Sequence, residues 1–272
     1  MTHIKWALMA ACASVAALSV AHAGLLVSQK EIRRAARVEW LSMKRHLPLE
    51  PDARVQRYVE CVANKLIAEL PPDYAHLDWE VVVFDDDDIN ASANPGGKIA
   101  VLNGLLRVAD TPDALAAVIG HEIAHATEDH VMQRARRGAR TDMLVLLGSA
   151  ATGIRQDMLH DGATVGLSLP YAREQETEAD LVGLQYMAKA GFDPRAAMYL
   201  WKGMSAANKG APPEILSSHP ADDTRLDNIV KAITPALIQY NAARDGGKRP
   251  TWLDFNVRRR EWNAPPRGNS TV

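Results

Sequence analysis

The segment Val118-Ile119-Gly120-His121-Glu122-Ile123-Ala124-His125 constrains this chain more than any other. Its two histidines stand four positions apart, so in a helix they share a face and their imidazoles can converge on one metal ion. Glu122 sits about 100° further round, where its carboxylate can reach a water in an open coordination position. Zinc suits the set, because neutral imidazole nitrogens are good zinc ligands and an open position leaves room for a water whose pKa falls toward ~7. The chemistry therefore requires a helix here, and the flanks supply one. Thr111-Pro112-Asp113 reads as an N-cap, a first-turn proline and a first-turn acid, and Leu115, Val118, Ile119 and Ile123 form an apolar stripe. Gly120 weakens a helix interior by roughly 1 kcal/mol relative to Ala, which makes sense where another backbone packs closely against the histidine-bearing turn. A His-Glu-x-x-His string arises by chance in roughly one chain in a hundred of this length, so the rest of the sequence has to support it.

The chain's 272 residues are enough for a full core, and 47% hydrophobic with 24% charged residues is ordinary for a globular protein. A formal charge of −2 gives no basic footprint for nucleic acid, and no repeat-array period is visible. Residues 1–23 read as a secretory signal peptide: Lys5 is the positive start, Trp6 to Val20 is apolar, and Ala21-His22-Ala23 is an A-x-A cleavage site. A lipoprotein reading at Cys12 is disfavoured, since only some six apolar residues precede it against the roughly seven to fifteen of a leader's apolar stretch. With the leader removed, Cys61 is the sole cysteine; it falls among Val55, Val59, Val62 and Leu66 and reads as a core thiol. Met143 to Ile154 is apolar but too short for the roughly twenty residues of a membrane span.

In chain order, Ser28 with Glu31 forms a capping box that opens a helix rich in arginine, and Asp52 to Leu70 is a second amphipathic helix ending before Pro71-Pro72. Trp79 to Phe84 and Lys98 to Leu102 read as two strands, expected to be antiparallel neighbours, with a polar loop and the turn Asn94-Pro95-Gly96-Gly97 between them. The acidic run Asp85 to Asp88 lacks the alternating spacing of a calcium loop. An exposed strand edge beside a metal helix can hold an extended peptide by strand addition.

A catalytic zinc usually takes three protein ligands, and a second helix from Tyr171 to about Ala190 offers acids for the third. Glu176 and Asp180 are spaced i, i+4, as a ligand and a partner for a ligand imidazole would be; Glu174 and Glu178 have the same spacing, which leaves the choice open. Asp193-Pro194 starts a further helix, a loop spans Asn208 to Pro213, and His219-Pro220 precedes another helix start. A lone histidine in such a place is more often a surface or capping residue than a catalytic one. Residues 24–240 read as one domain and 241–272, rich in Arg and Pro, as a loosely structured tail.

Taken in order, four pieces resemble the gluzincin metallopeptidases of the HtpX, CAAX prenyl protease and Oma type, in particular secreted bacterial members of the BepA and LoiP kind. They are Asn90 through Gly96-Gly97 to Gly104-Leu105-Leu106; His121 to His125; Arg173-x-x-Glu176-x-x-Ala179-Asp180; and His219-Pro220 with Arg225. The family commonly has Ser where this chain has Ala172. The resemblance implies a zincin-like α+β fold, mainly helical with a small β-sheet or hairpin beside the metal-binding helix. It implies one Zn2+ per chain held by His121, His125 and Glu176, with Asp180 behind the ligands and Glu122 as general base. Asn90 and Gly97 become candidate substrate-binding residues and Arg225 a candidate anion or substrate contact. His219 is brought near the metal, either as a donor to the oxyanion or as a fourth ligand that holds the enzyme latent. The implied activity is endopeptidase cleavage of misfolded or mislocalised cell-envelope proteins in the periplasm, with peripheral association to the membrane or to outer-membrane assembly machinery. The opposing expectation is a chaperone or assembly-factor module with a structural or autoinhibited zinc site.

Overall fold

The computed structural model describes residues 28–152, 156, 169–206, 215–216, 219 and 223–250. The leader at 1–23, the loop at 208–213 and all of the tail beyond 250 lie outside them. Helix α1 spans Gln29–His46, opened by the capping box of Ser28 and Glu31, and buries Ile32, Ala36 and Trp40 along one stripe. Helix α2, Ala53–Ile67, starts where the Asp52 carboxylate accepts from the Arg54 N–H, and it buries Val55, Tyr58, Val59, Val62, Ala63 and Leu66. Cys61 is half-buried and packs against that core. The short helix α3, Pro72–Ala75, leads into the sheet.

The strands are β1 Glu80–Phe84, β2 Ala91–Asn94 and β3 Lys98–Leu102, in the order β1-β3-β2. The two strands expected to be antiparallel are in fact parallel, Glu80 opposite Lys98 through Phe84 opposite Leu102. A third strand, β2, forms inside the stretch read as a polar loop and pairs antiparallel with β3 through the expected turn. At that turn Gly96 and Gly97 have φ of +102° and +87°, which side chains other than glycine rarely adopt. The sheet is covered on both faces. Trp40 of α1 packs edge-on to Phe84 and against Ala100 and Leu102 on one face, while Val81, Val83, Ile99 and Val101 join the main core on the other.

After a 3-10 turn at Asn103–Arg107 comes α4, Pro112–Thr127, capped by Thr111 as its sequence indicated and buried almost all round. Helix α5, His130–Thr152, follows a corner at Asp129, whose φ of +54° is left-handed. Helix α6, Leu169–Lys189, lies across α4; it ends at Gly191 (φ +83°) with Phe192 donating back to the Met187 carbonyl. Then come α7, Arg195–Ala206, and α8, Asp223–Asp245. The tail boundary expected at 241 thus falls inside α8, and Lys248 is still tied to Glu69 at 2.6 Å. The architecture is α+β and mainly helical. Among the described residues no helix is long and apolar enough to cross a membrane.

Two features of this packing position the site. The outer edge of β1 is closed, since Gln56 donates to the Val81 carbonyl (2.7 Å) and accepts from the Val83 N–H (2.9 Å), and Glu50 N–H bonds the Val83 carbonyl. The outer edge of β2 instead faces α4. The second feature is the crossing of α4 and α6, where Gly120 meets Gly183: a Cβ on Gly183 would fall 2.8 Å from the His121 nitrogen. The close backbone approach that Gly120 implied is therefore present, and a second glycine makes it.

Candidate metal centre

His121 and His125 project from the same face of α4, their Nε2 atoms 3.0 Å apart. Glu176 of α6 brings Oε2 to 3.3 Å from His121 Nε2 and Oε1 to 3.4 Å from His125 Nε2. His219 completes the group: its Nδ1 is 3.2 Å from His121 Nε2 and 2.9 Å from Glu176 Oε2. All four residues are buried, and one ligand atom of each lies within 4.8 Å of the others. Donors held 2.0–2.1 Å from one zinc ion at tetrahedral angles lie roughly 3.3 Å apart, the separation seen here.

The protonation pattern fits a cation as well. The other ring nitrogen of each α4 histidine has its own partner, His121 Nδ1 meeting Asp180 Oδ1 at 2.9 Å and His125 Nδ1 meeting His130 Nδ1 at 2.8 Å. With Nδ1 serving as the donor in each neutral ring, a metal ion in the cluster would take up both Nε2 lone pairs. Burial raises the pKa of Glu176, but the charge of His219 and hydrogen bonds from three imidazoles hold it well below the usual carboxylate range. Asp180 is likewise depressed, burial being outweighed by His121 and Arg225. Burial opposes a charge on His121, yet its contacts with Asp180 and Glu176 lift it from 6.5 to about 9, while burial drives His125 well below 6.5. Two ionised carboxylates in a dry pocket attract positive charge.

Glu122, on the turn between the histidines, is 2% exposed. Its Oε2 accepts from the Ala93 N–H of β2 at 3.2 Å, while Oε1 is 3.4 Å from His219 Nε2 and has no hydrogen-bond partner among the described residues. An unsatisfied carboxylate oxygen beside the donor cluster is where a water would be bound and deprotonated.

Other expected residues fall differently. Asn90 is buried just before β2; its carbonyl accepts from Leu102 and its Oδ1 from the Ala91 N–H. Gly97 is accounted for by the turn: its carbonyl accepts from Glu80 and a Cβ there would meet the Trp79 ring at 3.1 Å. Arg225, expected as a candidate anion or substrate contact, is buried beside the cluster. It is 2% exposed, donates to both Asp180 oxygens (2.7 and 2.9 Å) and to the His219 carbonyl (3.1 Å), and lies over the Trp201 ring at 4.8 Å. It is part of the wall. Glu174 is exposed, and Glu178 reaches His130 instead of the cluster. His130, Gly183, Ala93 and Trp201 carry no signal that sequence reasoning singled out, though His130 follows His125 by only five positions.

The profile of peptidase family M48 matches residues 51–233. The mitochondrial metalloendopeptidase OMA1 of Schizosaccharomyces pombe is 35% identical over 184 residues, covering 67% of this chain and 54% of that protein. Its Bos taurus counterpart is 32% identical over 240 residues, 78% of this chain and 44% of its own length. The beta-barrel assembly-enhancing protease of Escherichia coli K12 is 28% identical over 207 residues, covering 71% of this chain and 42% of that protein. The chain thus spans about half the length of these relatives.

Proposed function

The chain belongs to peptidase family M48, and from that premise we propose that it is a zinc-dependent endopeptidase observed in a closed form. The observation that supports this best is the convergence of donor atoms of four residues from three parts of the chain, 2.9–3.4 Å apart where their separations are measured, with the unpartnered Glu122 oxygen alongside. His121, His125 and Glu176 would hold the ion, and Asp180 would fix the His121 ring. A zinc ion in that set supplies Lewis acidity at the scissile carbonyl and acidifies water. Glu122 takes the proton from the attacking water and hands it to the leaving amine. Ala93 presents its N–H on the open edge of β2, where an extended substrate would add as a strand, so unfolded chains are the substrate class. In the closed form Glu122 itself occupies that N–H.

His219 supports the latent reading over the oxyanion role, because its Nδ1 lies within the donor set and its Nε2 faces Glu122. A fourth ligand excludes the water, and its departure would open the site. A purely structural zinc site has no use for a buried general base, which argues against the chaperone alternative. The leader-like residues 1–23, together with the relative named as a beta-barrel assembly-enhancing protease, support periplasmic work on misfolded or mislocalised envelope proteins, at or near the outer-membrane assembly machinery. The test is cleavage of an unfolded protein such as casein: the wild type cuts and loses activity to a chelator, whereas Glu122→Gln retains zinc and loses roughly 10²–10⁴-fold or more in rate. Near wild-type cleavage by Glu122→Gln would refute the mechanism.

A further inference from the structure

The two α4 histidines are anchored differently. His121 donates directly to a carboxylate, Asp180. His125 meets another imidazole, with its Nδ1 2.8 Å from His130 Nδ1, and His130 Nε2 then lies 3.1 Å from Glu178 Oε2. His130 is fully buried, while the Glu178 side chain is 52% exposed. We propose that His130 is a positioning residue that couples His125 to the Glu178 carboxylate, so that this ligand too has an acid behind it, at one remove.

The proton count supports one arrangement. His125 must keep Nε2 bare to serve the cluster, so its proton is on Nδ1 and points at His130. His130 Nδ1 must then accept, which places the His130 proton on Nε2, where Glu178 takes it. Every link has one donor and one acceptor, and both rings remain neutral. The carboxylate charge makes the His130 ring a better acceptor, and that ring in turn makes His125 Nε2 a better ligand and holds its plane.

The backbone is bent to make this contact. On a continuous helix a residue five positions after His125 would lie about 140° away round the axis. The chain instead breaks after Thr127, and Asp129 takes a φ of +54°, a conformation unfavourable for a residue with a side chain by roughly 1–2 kcal/mol. That corner starts α5 with His130 turned back onto the rear of His125. Gln175 of α6 fastens the corner by donating to the His130 carbonyl at 3.4 Å.

The inference rests on the metal reading of the site, and its test separates the two. Zinc affinity of the full chain is measured by competition with a chromophoric chelator, alongside helical content and melting of the metal-free proteins. His130→Gln places an amide where Nε2 was, so it can still bond Glu178 but offers nothing to His125. His130→Asn places an amide oxygen where Nδ1 was and can still accept from His125. We expect His130→Gln to bind zinc roughly 10–100-fold more weakly than wild type and His130→Asn to recover most of that loss. Equal affinity in all three proteins overturns the proposal, as does an equal loss in both variants, which would make His130 a space-filler only. If the wild type takes up no zinc, the metal reading fails and the relay fails with it.

Discussion

His219 faces two ways, toward the donor cluster through Nδ1 and toward Glu122 through Nε2, and under the proposed function one ring in that position would block both the open coordination site and the base. Its removal should therefore activate. At saturating zinc, His219→Ala is expected to cleave unfolded substrate several-fold to about tenfold faster, since apparent activity is reduced by the fraction of molecules that are closed. Slower cleavage with zinc retained would indicate an oxyanion donor, and unchanged rate and affinity would remove His219 from both roles. At this scale the sequence was legible for residues whose chemistry is local. The His121-Glu122-His125 spacing and the Glu176–Asp180 spacing describe the faces the structure uses, although spacing alone left Glu174 and Glu178 in contention. His130 was not legible, because helical periodicity turns it away from His125 and only the corner at Asp129 brings it back.

Among elements, the crossing of α4 and α6 determines where Glu176 stands relative to the histidines. A Cβ on Gly183 would lie 2.8 Å from the His121 nitrogen and 2.9 Å from the Gly120 carbonyl carbon, both backbone atoms with no rotamer to yield. Gly183→Ala should force the helices apart, destabilising the protein by about 1–3 kcal/mol and weakening zinc binding with it. Gly138→Ala is the control: nothing lies within 4 Å of its added Cβ, and it should be neutral or stabilising by up to ~1 kcal/mol. Thermal unfolding of the two variants checks this, and equal melting temperatures would contradict the crossing. Helix starts at Ser28, Asp52, Thr111 and Asp193 were readable because a cap is a contact within three residues. Strand β2 was not: Ala-Ser-Ala-Asn has no branched or aromatic side chain, and it is a strand because β3 lies beside it. Missing β2 also reversed the expected relation of β1 to β3.

In the whole molecule, the sheet is covered on both faces and its β2 edge meets Glu122 at Ala93, which is where the proposed function would seat an extended substrate. The closed β1 edge, the glycine crossing and the Asp180–Arg225 pair all lead to one buried cluster of His121, His125, Glu176 and His219. Under the proposed function this cluster is a zinc site completed by Glu176 from a second helix. Metal content of the purified chain, compared with that of Glu176→Ala after equal exposure to limiting zinc, tests it most directly. One zinc per wild-type chain and a large loss of occupancy in the variant are expected. Full occupancy in Glu176→Ala, or no zinc in the wild type, would contradict it.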